Sequence, residues 1–121
     1  SKKIEQTVQE EVRNLIKAGA EKARTGDYDG AVEAMLDAVR HMPGHPVVLF
    51  NGALALLRRI EHRGWNGALA RQALGLIERA RALDPASGRL STLAEYMHIL
   101  IERNGVIADK PAAPAHRRAR G

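Results

Sequence analysis

One pattern of small apolar residues ending in a proline occurs twice in this chain, and it restricts the folds that the chain can adopt. The steps between its members are four, three and five residues, and the second copy follows the first by 42 residues. The members are Ala31, Met35, Ala38 and Pro43 in the first copy, and Ala73, Ile77, Ala80 and Pro85 in the second. Steps of three and four place residues on one face of an α-helix, and a proline cannot continue that helix. The pattern therefore predicts a helical repeat protein, a class that mostly binds other proteins.

The composition agrees with an all-α fold. Apolar residues make up 45% of the 121 residues but aromatic residues only 3%, which suits close helix–helix packing better than a β-sandwich core. A chain of this length forms one domain. Cysteine is absent, which excludes disulfides, thiolate zinc sites and thiol nucleophiles. Neither a signal peptide nor a run of roughly 18 apolar residues is present, so a soluble cytoplasmic location without membrane contact is expected.

The apolar periodicity predicts five helices, over residues 3–24, 28–42, 46–59, 67–83 and 87–103. Residues suited to cap helix N-termini stand at the expected places: Asp27 or Asp29, Asn66 and Ser87. Residues 61–66 are predicted to be irregular. The short connections predict that consecutive helices pack as antiparallel neighbours.

The end of the chain differs from the rest. Gly105 is a suitable C-terminal stop for the fifth helix, and residues 105–121 are rich in proline and alanine with little to bury. We predict that this tail is disordered. It carries a net charge of +3 out of the total of +5, which leaves only +2 for residues 1–104. A basic tail on a nearly balanced domain is a weak indication of nucleic-acid binding.

The first copy of the pattern, with Gly26 and Tyr28 before it, resembles the second half of a tetratricopeptide repeat (TPR), whose period is about 34 residues. The resemblance implies an antiparallel, TPR-like helix-hairpin solenoid of about five helices in residues 1–104. Its repeats would span 12–45 and 46–85, and the helix over 87–104 would be a cap. The spacing of 42 residues between the two copies exceeds the TPR period by eight, an insertion around residues 59–66, and the second unit lacks the Gly-x-Tyr step and the signature tryptophan.

Two stretches, residues 49–57 and 63–85, also resemble the C-terminal repeat domain of certain bacterial receiver-domain response regulators. This resemblance implies an adaptor in two-component signalling, with a receiver domain phosphorylated elsewhere in the phosphorelay. The chain begins with Ser1 and enters a helical pattern almost at once. Two explanations stay open, a fragment of a longer protein and a chain that has lost its initiator methionine.

In the TPR fold, the first helix of each repeat lines a concave surface, and the resemblance implies a protein-binding groove there. The candidate residues in this chain are Ile16, Val47, Phe50, Leu54, Leu57 and Arg58. An apolar strip with charged edges is typical of interaction sites. The family's carboxylate clamp of Lys, Asn and Arg has no counterpart here beyond Asn51, so an amphipathic partner helix fits better than an acidic chain terminus. A second interpretation stays open, in which the fifth helix or the start of the first covers the strip.

The partner itself is not named by the sequence. A protein or peptide is expected, with the chain's own receiver domain among the candidates. Two and a half repeats fall below the roughly three usually needed for stability, and self-association would relieve that shortage. The alternative function is nucleic-acid binding through two groups of basic residues, and the scarcity of aromatic residues for base stacking counts against it. These groups are Arg58, Arg59, His62 and Arg63, and Arg117, Arg118 and Arg120 in the tail.

Other conspicuous residues have simpler interpretations. Trp65 is either a binding anchor or a plug at the end of a helix pair, and the plug is favoured. His41 and His45 are four residues apart, but Pro43 and Gly44 between them prevent a shared helical face, which argues against a metal site. The sequence therefore predicts no enzyme activity, metal or cofactor.

Overall fold

The computed structural model describes residues 2–105 together with residues 110 and 111. These residues form five helices, which are α1 (Lys2–Arg24), α2 (Tyr28–His41), α3 (Pro46–Arg63), α4 (Gly67–Leu83) and α5 (Gly88–Asn104). They also form two short strands, β1 (Gly64–Trp65) and β2 (Lys110–Pro111). Across the described ranges, no helix has both the length and the apolar character needed to cross a membrane.

The side chains chosen from the sequence as caps do cap the helices. The backbone N–H of Gly30 donates to Asp27 Oδ1 at 2.9 Å, so Asp27 and not Asp29 begins α2. Asn66 Oδ1 accepts from the Leu69 N–H at 2.9 Å, and Ser87 Oγ accepts from the Leu90 N–H at 3.2 Å. Each bond satisfies a backbone donor that has no partner within its helix, which fixes where the helix starts.

The structure corrects the predicted end of α3 at residue 59. The helix continues to Arg63, so the first three residues of the segment predicted to be irregular, 61–66, are helical. No residue between 60 and 63 breaks a helix, and the end comes at Gly64, whose φ of +117° other residues rarely adopt. The bounds of α4 match the prediction.

Consecutive helices pack against each other along the whole chain, and α1 also contacts α3. The arrangement is an all-α, TPR-like stack of antiparallel hairpins, with α1 and α2 as the first, α3 and α4 as the second, and α5 as a cap. The repeated alanine pattern lies in the core, with Ala38, Ala73, Ile77 and Ala80 at 0% exposure. Its confirmed role is therefore to let neighbouring helices approach closely.

Gly52 lies where α3 approaches both α2 and α4 closely. A Cβ atom placed on it would lie 3.0 Å from Val39 Cγ2 of α2 and 3.2 Å from Leu76 Cδ1 of α4. Distances of this kind leave no room for a methyl group without movement of both neighbours. The absence of a side chain at Gly52 thus allows α3 to lie between α2 and α4.

Trp65 closes the far end of the second hairpin. Its side chain is 6% exposed and belongs to the core. The sequence predicted a disordered tail over 105–121, and within that segment β2 pairs antiparallel with β1, Gly64 opposite Pro111 and Trp65 opposite Lys110. Residues 106–109 and 112–121, which include Arg117, Arg118 and Arg120, lie outside the described residues.

Candidate functional site

Most of the candidate residues lie on the face of α3 that is exposed between α1 and α5. Val47, in the first turn of α3, is 51% exposed. Phe50 and Leu54 follow at steps of three and four residues and are half-buried. These steps place the three side chains on one stripe of the helix.

The widest apolar part of this surface lies between α3 and α5. It is a groove of about 390 Å³ lined by Phe50, Leu54, Gly88, Arg89, Thr92, Leu93 and Tyr96. The guanidinium carbon of Arg89 lies 4.2 Å from the centroid of the Phe50 ring, a cation–π contact. The floor of the groove is therefore apolar, and an arginine lies at its edge.

Tyr96 forms the polar end of the same groove. Its hydroxyl donates a hydrogen bond to Glu61 Oε2 at 2.9 Å. Burial raises the pKa of Tyr96, the hydrogen bond and negative charge of Glu61 raise it further, and the charge of Arg103 opposes the rise. The bond also holds α5 against the last turns of α3.

A second apolar depression lies on the other side of α3. It has a volume of about 220 Å³, and its lining residues are Gln9, Val12, Arg13, Ile16, Met42, His45, Val47 and Val48. Val47 and Phe50 together also border the first turn of α5. The two depressions therefore belong to one surface across α1, α3 and α5, and we call it the groove face. Its apolar side chains are Ile16, Val47, Phe50, Leu54, Leu93 and Tyr96.

Two of the predicted site residues lie elsewhere. Leu57 is 4% exposed and belongs to the core, against which Leu93 and Leu100 of α5 pack. Its assignment to the groove is a correction, because its side chain is buried in the core. Arg58 is exposed but lines neither depression of the groove face.

The groove residues contributed by α5 were missed by sequence reasoning. Arg89, Leu93 and Tyr96 recur at steps of four and three in the last helix, so the periodic pattern was visible. What places them at the groove is the contact of α5 with α3, and a local sequence pattern cannot show that two distant helices are in contact.

The basic cluster proposed for nucleic acid is largely occupied by contacts within the fold. Arg59 Nε lies 3.1 Å from Asp29 Oδ1, and Arg63 Nη2 donates to the Gly26 carbonyl oxygen at 3.1 Å. The His62 ring stacks on Tyr28 with centroids 4.4 Å apart. These three side chains hold the end of α3 against the start of α2, which weakens the case for a nucleic-acid surface there.

The two histidines considered for a metal site have separate surroundings. His41 Nδ1 lies 2.8 Å from the Asp37 carbonyl oxygen, and His41 Nε2 lies 3.4 Å from Glu11 Oε2. His45 instead precedes α3 and borders the groove face. Within residues 2–105, no group of three or more His, Asp or Glu side chains is arranged to hold a metal ion.

Comparison with known proteins finds similarity among solved structures. No protein-family model matches the chain, and no curated protein sequence matches it. The chain is similar to a structure described as the first TPR of Spaghetti (RPAP3) bound to the HSP90 peptide SRMEEVD, at 17% identity and a TM-score of 0.35. The match covers 77% of this chain and 97% of that chain. The fold assignment rests on the helix packing described above.

Proposed function

We propose that this chain is a protein–protein interaction module that binds a helix or peptide of a partner protein on the groove face. The observation that supports this most directly is the apolar groove between α3 and α5, lined by Phe50, Leu54, Leu93 and Tyr96. Large apolar side chains in a surface depression gain free energy when a partner excludes water from them, at about 25 cal/mol per Å².

A partner helix suits this surface better than an extended strand. The groove is bordered by two helices and offers no strand edge, so a partner gains little from backbone hydrogen bonds here. An amphipathic helix presents apolar residues at steps of three and four, which matches a stripe built at the same steps. Ile16 of α1, next to Val47 of α3, would extend the contact along the surface.

The test is affinity capture from bacterial lysate with the intact chain and two glutamate variants. Leu54→Glu introduces a charge into the groove, and Leu83→Glu introduces the same charge at a 52% exposed leucine at the end of α4. We expect a protein retained by the wild type and by Leu83→Glu but lost with Leu54→Glu, while circular dichroism stays unchanged. Unfolding of Leu54→Glu would show that Leu54 is a core residue and remove the support for the site.

A truncation after Gly105 separates the alternative function in the same experiment. Nucleic acid captured by the full chain and lost with the truncation would favour binding through the basic tail. The groove is intact in the truncated chain, so a protein partner should still be retained.

The finer proposal is that the domain is the C-terminal part of a cytoplasmic bacterial response regulator whose own receiver domain is a partner. Its support is the resemblance of residues 49–57 and 63–85. The protein purified from its source cells should then form an aspartyl phosphate with acetyl phosphate and Mg²⁺, and hydroxylamine should cleave it. Phosphorylation should also change capture by the groove. A native protein that takes up no phosphate would contradict this assignment without affecting the groove.

A further inference from the structure

We propose that the partner of the groove face is an amphipathic helix with an acidic polar side. This inference rests on the proposed function and specifies the chemistry of the partner. It comes from the distribution of charge around the groove: the sequence places arginines at the edges of the apolar strip, and the structure shows which of them pair with a carboxylate.

Two arginines line the depressions of the groove face, and two more lie beside it. Arg13 of α1 lines the depression beside α3, and Arg89 of α5 lines the groove on the other side. Arg103 is near enough to Tyr96 for its charge to act on that phenol. Arg58 is exposed one turn beyond Leu54.

These arginines differ from most arginines elsewhere on the fold in having no carboxylate partner. Several others pair with an acid, namely Arg24 with Glu21, Arg40 with Asp37, Arg59 with Asp29 and Arg81 with Glu78. Within residues 2–105, no ion pair joins Arg13, Arg58, Arg89 or Arg103 to an acidic side chain. Their positive charge is therefore available to a partner.

Carboxylates are scarce on the same surface. Neither the α3–α5 groove nor the α1–α3 depression has an acidic residue in its described lining. Asp84 borders the surface near the first turn of α5, and Glu61 accepts the Tyr96 hydroxyl. An acidic partner therefore meets attraction along most of the groove face, and a basic one meets repulsion.

The contact of Arg89 with Phe50 shows how apolar and acidic groups of one helix would bind together. The Arg89 guanidinium lies over the Phe50 ring, and this contact holds the guanidinium at the edge of the groove, beside its apolar floor. Its N–H groups can then donate to a carboxylate in a bidentate arrangement. A leucine of the partner would enter between Phe50 and Leu93, and a glutamate one turn away would reach Arg89.

The experiment uses three synthetic helical peptides of about 18 residues, long enough to form a helix, that share one leucine stripe. Their polar sides are filled with Glu, Gln or Lys. Affinity for the full chain is measured by fluorescence anisotropy at about 0.05 M and about 0.3 M salt. We expect the Glu peptide to bind about tenfold more tightly than the Gln peptide at low salt, and the Lys peptide to bind most weakly. The preference should shrink at high salt.

Arg89→Glu is the variant that tests the charge, and Arg71→Glu is its matched control. Arg71 is an exposed arginine on α4 outside the groove face. Arg89→Glu should reverse the order of the Glu and Lys peptides, whereas Arg71→Glu should leave the order unchanged.

The possible results separate the inference from the function on which it rests. Equal, salt-insensitive binding of the three peptides, abolished by Leu54→Glu, would overturn the acidic partner and keep the groove. Binding of none of them by a folded chain would contradict both. Light scattering of the chain alone tests whether the groove binds a second copy of the chain. A dimer that Leu54→Glu dissociates would assign the groove to that second copy and overturn the inference.

Discussion

The indole N–H of Trp65 donates a hydrogen bond to the carbonyl oxygen of Gly105, at a distance of 2.9 Å. This bond joins the connection after α3 to the residue that ends α5, forty residues later in the chain. The Gly105 backbone has a φ of +83°, and its N–H closes the helix on the Ile101 carbonyl oxygen at 2.8 Å. Trp65 therefore plugs the core and fixes the end of the cap helix, and it is not available as a binding anchor.

Replacement of Trp65 should test this role. We expect Trp65→Ala to lower the free energy of unfolding by about 3–5 kcal/mol, because it leaves a cavity in the core. Trp65→Phe should cost about 1–2 kcal/mol, since it keeps an aromatic ring and loses the hydrogen bond. Urea unfolding followed by circular dichroism measures both, as Trp65 is the only tryptophan of the chain. Equal stability of all three proteins would contradict the plug.

Two glycine-to-alanine changes in helices should have opposite effects on stability. Gly52→Ala forces a methyl group toward Val39 and Leu76 and should destabilise the fold by about 1–3 kcal/mol. Gly75→Ala is its control, because no atom outside its own helix lies within 4 Å of the added carbon. That change should stabilise α4 by about 0.5–1 kcal/mol through the higher helix propensity of alanine. Thermal unfolding of the two variants gives the signs directly.

Leu54 and Leu57 should separate binding from stability. Leu57→Ala removes a side chain that is 4% exposed and should cost about 2–5 kcal/mol of unfolding free energy. Leu54→Ala should cost less, because Leu54 is only half-buried, and should weaken binding of the Glu-faced peptide more than Leu57→Ala does. Unfolding curves and anisotropy titrations on the same samples measure both quantities. Similar stability losses in the two variants would place Leu54 in the core.

Tyr96 should make stability depend on alkaline pH. Its pKa in the folded chain is raised above the ordinary value of 10.0, chiefly by burial and then by Glu61. A raised folded pKa means that Tyr96 contributes its stability in full below the unfolded pKa and loses it as pH rises through the folded pKa. The wild type should thus lose stability from about pH 10 upward, and Tyr96→Phe should lack this component.

The absorbance of the phenolate measures the Tyr96 pKa itself. Tyr28→Phe removes the other tyrosine and leaves Tyr96 as the single signal. Glu61→Gln should lower the pKa of Tyr96 toward its ordinary value, because the negative charge is lost. The pKa should stay raised in that variant, since burial is the larger cause. A pKa unaffected by Glu61→Gln would show that the Tyr96–Glu61 bond does not form in solution.

Much of the fold was predictable because its signals are local. Steps of three and four residues show which side of each helix is apolar, and an Asp, Asn or Ser before a helix supplies the missing acceptor. This is why α4 begins after Asn66 and α5 after Ser87, as predicted. The end of α3 differs from the prediction because residues 61–63 contain no helix breaker, and the helix runs on until Gly64.

The candidate site divides at Leu57. Phe50, Leu54 and Leu57 lie on one stripe of α3, and the sequence contains nothing that distinguishes them. In the structure Leu57 is 4% exposed whereas Phe50 and Leu54 are half-buried, and only the packing of the other helices against α3 makes this difference. The contacts of Arg59, His62 and Arg63 with the start of α2 could not be predicted either, because they join residues far apart in the sequence.

The sequence alone thus determined the all-α class, the starts of α4 and α5 and the repeated alanine positions of the core, because backbone hydrogen bonding and apolar periodicity act over a few residues. The tertiary structure alone decided which apolar residues remain exposed and which arginines lack a carboxylate. Both properties depend on where a helix far along the chain comes to lie. That position is set by packing over the whole fold, in which Gly52 lets α3 approach its neighbours and Trp65 secures the end of α5.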